Sequence, residues 1–189
     1  MTPPRWAEAT ARQLLAEPLP RRWAHTQGVA AAARHLASIL GEQADLIEAS
    51  AWLHDIGYSP AIAATGFHPI DGARHLRDAH HADDLICRLV AHHSFALNEA
   101  ALRGFGRELA GEFPEPPADL ADAITYCDMT TGPDGQRLTV DQRLAEILRR
   151  YGPGHLVSQF ITASAPRIVA SVERVNERVN SAPPRLRHR

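Results

Sequence analysis

The segment Ala51-Trp52-Leu53-His54-Asp55-Ile56-Gly57 sets an imidazole and a carboxylate side by side at the end of an apolar run. Neither group belongs in such surroundings unless something compensates it. The run reads as a helix over roughly 43–56, stopped by Gly57. Working outward, the same helical text continues in both directions. Upstream, a helix is expected over about 5–17, ended by Pro18 and Pro20. Another is expected over about 21–40, with Val29, Ala32, Leu36 and Leu40 on one face and Gly41 at its end.

Downstream, 57–67 reads as a loop, and a helix starts near His68-Pro69, where proline suits the first turn. Leu85, Ile86, Leu89 and Val90 mark a helix over about 82–93. The stretch 97–117, with three glycines and three prolines, is expected to be loop or short helix, a candidate flap over a site. Helices follow over about 118–129, 139–150 and 155–163, with a turn at 131–135. A last helix should begin near Ser164-Ala165-Pro166. Its stripe Ile168, Val172, Val175 and Val179 reads as core, with a homodimer seam as the second reading. Residues 1–180 form one all-α domain in this reading, a helical bundle with its site in the core, and 181–189 a frayed tail.

Composition narrows the classes further. The chain has 189 residues, 44% hydrophobic and 22% charged, with a formal net charge of −2, enough to bury a core. All 20 basic residues are arginine, balanced by 22 acids, which argues against a nucleic-acid polymer as partner. No apolar run approaches the ~18–20 residues that span a bilayer, and Met1-Thr2-Pro3-Pro4-Arg5-Trp6 has no export signal. Cys87 and Cys127 form no CxxC pair, so a reducing, cytoplasmic setting is the simplest expectation.

Eleven histidines stand out in this composition. His25 lies four residues before Val29 on the apolar stripe of its helix. Asp128 follows Ile124 by four residues and Leu120 by eight, again on an inward face. His92 and His93 close a helix after Leu89 and Val90. Several polar groups aimed into one core need a shared partner, and a divalent cation is the economical one. A mixed His/Asp set suits Fe, Mn, Co, Zn, Ni or Mg, as one ion or two.

The ordered set His25, His54-Asp55, Asp128 resembles the HD-domain superfamily of metal-dependent phosphohydrolases. The text "AHTQGVA", "AWLHDIGY" and "ITYCDMTTG" around the three positions agrees with it over roughly residues 20–130. "FHPIDGARHL" and "LVAHHS" resemble the extra histidine segments of branches that bind two metals. The resemblance implies an all-α fold and a catalytic His54-Asp55 dyad. It further implies that His68 and His92, with His93 as a further ligand, hold a second metal bridged by Asp55. No GYP-type motif follows the histidine pair, which sets the chain apart from the cyclic-dinucleotide branch.

The implied activity is hydrolysis of a small phosphorylated substrate, such as a nucleotide, by metal-activated water. Arginine forks match phosphate, and Arg22 and Arg88 are the first candidates because they precede His25 and His92 by about one turn. Thr130 and Thr131 are candidates for the site's mouth, or else caps of the following turn. Asp71 is a candidate acceptor for the His68 ring, or a solvated helix acid. Two other functions fit the same residues: a di-iron oxygenase of the same superfamily, and a non-catalytic nucleotide sensor.

Overall fold

The computed structural model describes residues 2–182. Helices α1 (Pro3–Leu15), α2 (Pro20–His35), α3 (Ala37–Leu40) and α4 (Ala44–Leu53) open the chain. A 3-10 turn at Ile56–Tyr58 leads through a loop to α5 (His68–His80) and α6 (Asp84–His92). Two short helices follow, α7 (Ala96–Arg103) and α8 (Gly106–Glu112), then α9 (Ala118–Met129), α10 (Val140–Tyr151) and α11 (Leu156–Ser181). Among the described residues there is no strand, only an isolated bridge between Thr131 and Arg137. The fold is all-α, as the sequence predicts. No described helix is long and apolar enough to cross a membrane.

Helix α4 is the hub, packed against α1, α2, α6 and α9. Its residues Ala49 to Leu53 are buried in unbroken succession, which a helix achieves only when neighbours cover its whole circumference. This is why the His54-Asp55 dyad at its end lies in the interior. The dyad, the start of α5, the end of α6 and the end of α9 converge there.

Two glycines set the spacing of that convergence. A Cβ on Gly57 would lie 2.0 Å from the His68 carbonyl oxygen, so glycine alone lets α5 start against the dyad. A Cβ on Gly28 would lie 2.5 Å from the Gly135 carbonyl oxygen, so α2 packs flush on the turn after α9. Between these contacts the loop before α5 is tied down by Asp71, whose carboxylate accepts from the backbone N–H groups of Ala64, Thr65 and Gly66. Asp71 is buried and fulfils neither role expected for it: it does not reach His68 and it is not solvated.

Other expectations are corrected locally. The helix expected over 21–40 loosens at Leu36, whose N–H turns to the Ala33 carbonyl, and resumes as α3. The two helices expected to meet at Ser164-Ala165-Pro166 are one continuous α11, with Pro166 inside it. Packing of α11 on α9, α10 and α7 offsets the one hydrogen bond that proline removes. Its stripe is buried through Val175, whereas Val179 is exposed. The short-helix reading of 97–117 holds: the stretch folds as α7 and α8 up to Glu112 and sends Leu109 and Phe113 into the core. The tail expected to fray lies outside the described residues beyond 182.

Candidate metal centre

His25, His54 and Asp128 form one group of potential ligands, and Asp55, His68 and His93 form another. Within each group the ligand atoms lie within 4.8 Å of one another. Asp55 stands between them and presents one oxygen to each. Its Oδ2 is 3.3 Å from His54 Nε2 and 3.8 Å from His25 Nε2, while its Oδ1 is 3.4 Å from His68 Nε2 and 4.0 Å from His93 Nε2.

The imidazoles are oriented by backbone carbonyls. His25 Nδ1 faces Gly132 O at 3.0 Å, His54 Nδ1 faces Ala51 O at 2.8 Å and His93 Nδ1 faces Val90 O at 2.7 Å. A carbonyl can only accept, so each Nδ1 carries the proton and donates it, leaving Nε2 as a bare lone pair aimed inward. This is the second-atom hydrogen bond that metal-ligating histidines commonly make. His54 Nε2 is buried with no hydrogen-bond partner, although Asp55 Oδ2 lies 3.3 Å away. His25 Nε2 lies 3.1 Å from Asp128 Oδ1, an acceptor facing an acceptor when the ring is neutral. These lone pairs and carboxylate oxygens repel one another until a cation comes between them, so the residues present fit a divalent metal.

Electrostatics favour the ligand forms at most positions. Burial lowers the pKa of His25, His68 and His93; for His68 and His93 neighbouring imidazoles add to it, against the pull of Asp55. Burial also opposes charge on His54, but Asp55, Asp128 and the Ala51 carbonyl together outweigh it and raise that pKa. Burial would raise both aspartates, yet Arg22, His54 and His68 hold Asp55 well below the ordinary carboxylate range. His25, His54 and Arg143 do the same for Asp128. At neutral pH the carboxylates are ionised, as metal ligation requires.

The remaining predicted residues divide clearly. Arg22 donates from Nη1 to Asp55 Oδ2 at 2.7 Å, and its guanidinium lies 4.0 Å above the Tyr58 ring. Tyr58 in turn stacks on the His68 ring at 3.9 Å. His92, expected ahead of His93, belongs to neither group: its Nε2 donates to the Phe113 carbonyl at 2.6 Å. Adjacent helical residues point ~100° apart, so only one of the pair can face the centre. Arg88 is turned away to the Pro114 and Glu115 carbonyls. Thr130 and Thr131 are buried and donate to the Tyr126 and Cys127 carbonyls, which makes them caps of α9 and not lining of the mouth.

Several contributors were not legible in the sequence. Ser94 donates its hydroxyl to Asp128 Oδ2. Ser94 and Phe95 both have left-handed backbone (φ 49° and 62°), a conformation that costs non-glycine residues of order 1 kcal/mol or more each. The cavity over the centre takes only Tyr58 from the 57–67 segment and Glu99 from 97–117. Helices α10 and α11 supply a large part of its wall, including Arg143, Ile147, Arg150, Tyr151, Phe160 and Ile161. A Thr139–Gln142 capping box fixes the start of α10 and so the register of Arg143.

Compared with known proteins, residues 22–131 match a family model described as HD domain. No curated protein and no solved structure matches the chain.

Proposed function

We propose that this chain, which belongs to the HD-domain family, hydrolyses a nucleotide or other phosphoester with metal-activated water. The observation that carries this reading is Asp55 placed between two His-containing groups, one carboxylate oxygen towards each. His25, His54 and Asp128 would hold one divalent ion, His68 and His93 a second, and Asp55 would serve both. A divalent ion bound there would lower the pKa of its water to about 7 and polarise a phosphoryl oxygen.

The chain's own residues account for the rest. Backbone carbonyls keep His25, His54 and His93 in the tautomer that aims Nε2 at the centre. Arg22 sits at the edge of the centre, with one side of its fork on Asp55 and the rest at the cavity, where it can meet a phosphoryl oxygen. The arginine-lined cavity favours an anionic substrate. Ile147, Tyr151, Phe160 and Ile161 supply an apolar wall for the group that the phosphate esterifies.

The test is phosphate release by the full chain, loaded in turn with Mn, Fe, Co, Zn, Ni and Mg, from a panel of nucleotides and phosphomonoesters. Turnover of at least one substrate, abolished by Asp55→Ala, is expected. No release with any ion would refute the reading.

A further inference from the structure

Two cavities border the metal centre. One is the cavity over Asp55, His68 and Asp128 already described. The other opens beside Pro18, Leu19, Pro20 and Pro133 and reaches His25. The residues that line both are three arginines, Arg22, Arg143 and Arg150. Arg22 is engaged by Asp55. Arg143 and Arg150 project from the same face of α10, two turns apart, with Glu146 between them.

Arg143 is the unusual member. It is only 5% exposed, yet its donors are far from satisfied. One Nη donates to Glu146 at 2.7 Å, and the other lies 3.7 Å from Asp128 Oδ1, beyond hydrogen-bond reach. Its Nε is buried with no partner among the described residues. A buried guanidinium with unmet N–H groups is costly, and an anion is the ligand that satisfies them. Glu146 cannot neutralise the pair, because Arg150 uses the same carboxylate through both Nε and Nη2. Glu146 therefore leaves one positive charge of the pair to Asp128, 3.7 Å from Arg143, and that carboxylate is itself a candidate metal ligand. Arg143 and Arg150 also lie outside the segment matched by the family model, so they belong to this chain's own C-terminal helices.

We propose that Arg143, backed by Arg150, holds a second phosphoryl group of the substrate, one that is bound but not transferred. The substrate class is then a diphosphate or longer phosphate chain, lying across the three arginines that the two cavities share. This rests on the phosphohydrolase reading for the identity of the reacting group, but the binding site itself is testable without turnover.

The experiment is calorimetric titration of the chelator-treated full chain with inorganic pyrophosphate and, separately, with inorganic phosphate. Pyrophosphate should bind at least about tenfold more tightly, since a hydrogen bond to a charged group contributes roughly ten- to hundredfold. In Arg143→Gln that preference should disappear, and Arg143→Lys should recover part of it. Should Arg143→Gln fail to fold, Arg150→Gln at the more exposed edge should reduce the preference in the same direction. Equal binding of the two anions by the wild type, or an undiminished preference in the folded variants, overturns the proposal.

In turnover, Arg143→Gln should raise KM for a diphosphate ester roughly tenfold or more relative to its effect on KM for a phosphomonoester. An unchanged KM would count against the site. Absence of any hydrolysis alongside an Arg143-dependent pyrophosphate preference would refute the phosphohydrolase reading and leave this site standing.

Discussion

Gly57→Ala isolates the link between backbone packing and the second ligand group. The added Cβ would sit 2.0 Å from the His68 carbonyl oxygen, 2.7 Å from Gly72 N and 2.8 Å from His68 C. All three are backbone atoms at the start of α5, so no side chain can swing aside. Relief requires the dyad and α5 to separate by about 1 Å, because close-packed interiors have no void to absorb the methyl. Overpacking of this kind costs about 1–3 kcal/mol, which for a chain of this size lowers Tm by about 2–12 °C. The same displacement carries His68 away from Asp55 Oδ1, now 3.4 Å distant. Misplacement of a reacting constellation by about 1 Å costs on the order of a hundredfold in rate. Metal content per chain should fall from two towards one, since His25, His54 and Asp128 do not depend on α5. The assay pairs thermal unfolding with elemental analysis of dialysed protein. Gly72→Ala is the control: its Cβ would meet its nearest atom at 3.3 Å, and alanine's helix preference of about 0.5–1 kcal/mol offsets that contact. Wild-type Tm and two ions per chain in Gly57→Ala would refute this account of how His68 is placed.

Other perturbations separate neighbouring residues by role. His93→Ala should cost one ion per chain by elemental analysis, whereas His92→Ala, which breaks the bond to Phe113, should keep the ions and lower Tm. Asp71→Ala leaves the N–H groups of Ala64, Thr65 and Gly66 without their acceptor and should cost about 3 kcal/mol in denaturant unfolding. The metal-free protein should lose stability as pH falls from about 7 to 5. His25, His68 and His93 have depressed pKa values, so the unfolded chain binds more protons than the native state once pH drops below about 6.5. His54, with its raised pKa, acts in the opposite sense and is outnumbered. A denaturation midpoint that rises on acidification would contradict this balance.

Periodicity and a few polar residues in apolar text were enough to read the fold class and four of the residues at the centre. His25, His54, Asp55 and Asp128 could be found because a polar group on a buried stripe is visible in one dimension. His93 could be placed only to within its pair with His92, since the outcome turned on helix phase at the last residue of α6. Arg88 and Arg22 looked equivalent by spacing, but one reaches the Pro114 and Glu115 carbonyls and the other Asp55. That difference lies in which segment folds back against each helix, and spacing along the chain carries no record of it.

The sequence by itself determined that the protein is helical, that it buries His and Asp side chains, and that its basic groups are all arginine. Tertiary structure decided that Asp55 divides its two oxygens between two groups, that Gly57 admits α5 to the site, and that Arg143 lies buried beside Asp128. The physical reason is the range of the forces involved. Helix formation and burial patterns follow local periodicity, whereas coordination and charge pairing depend on contacts between segments a hundred residues apart, such as His25 with Asp128 and Gly132.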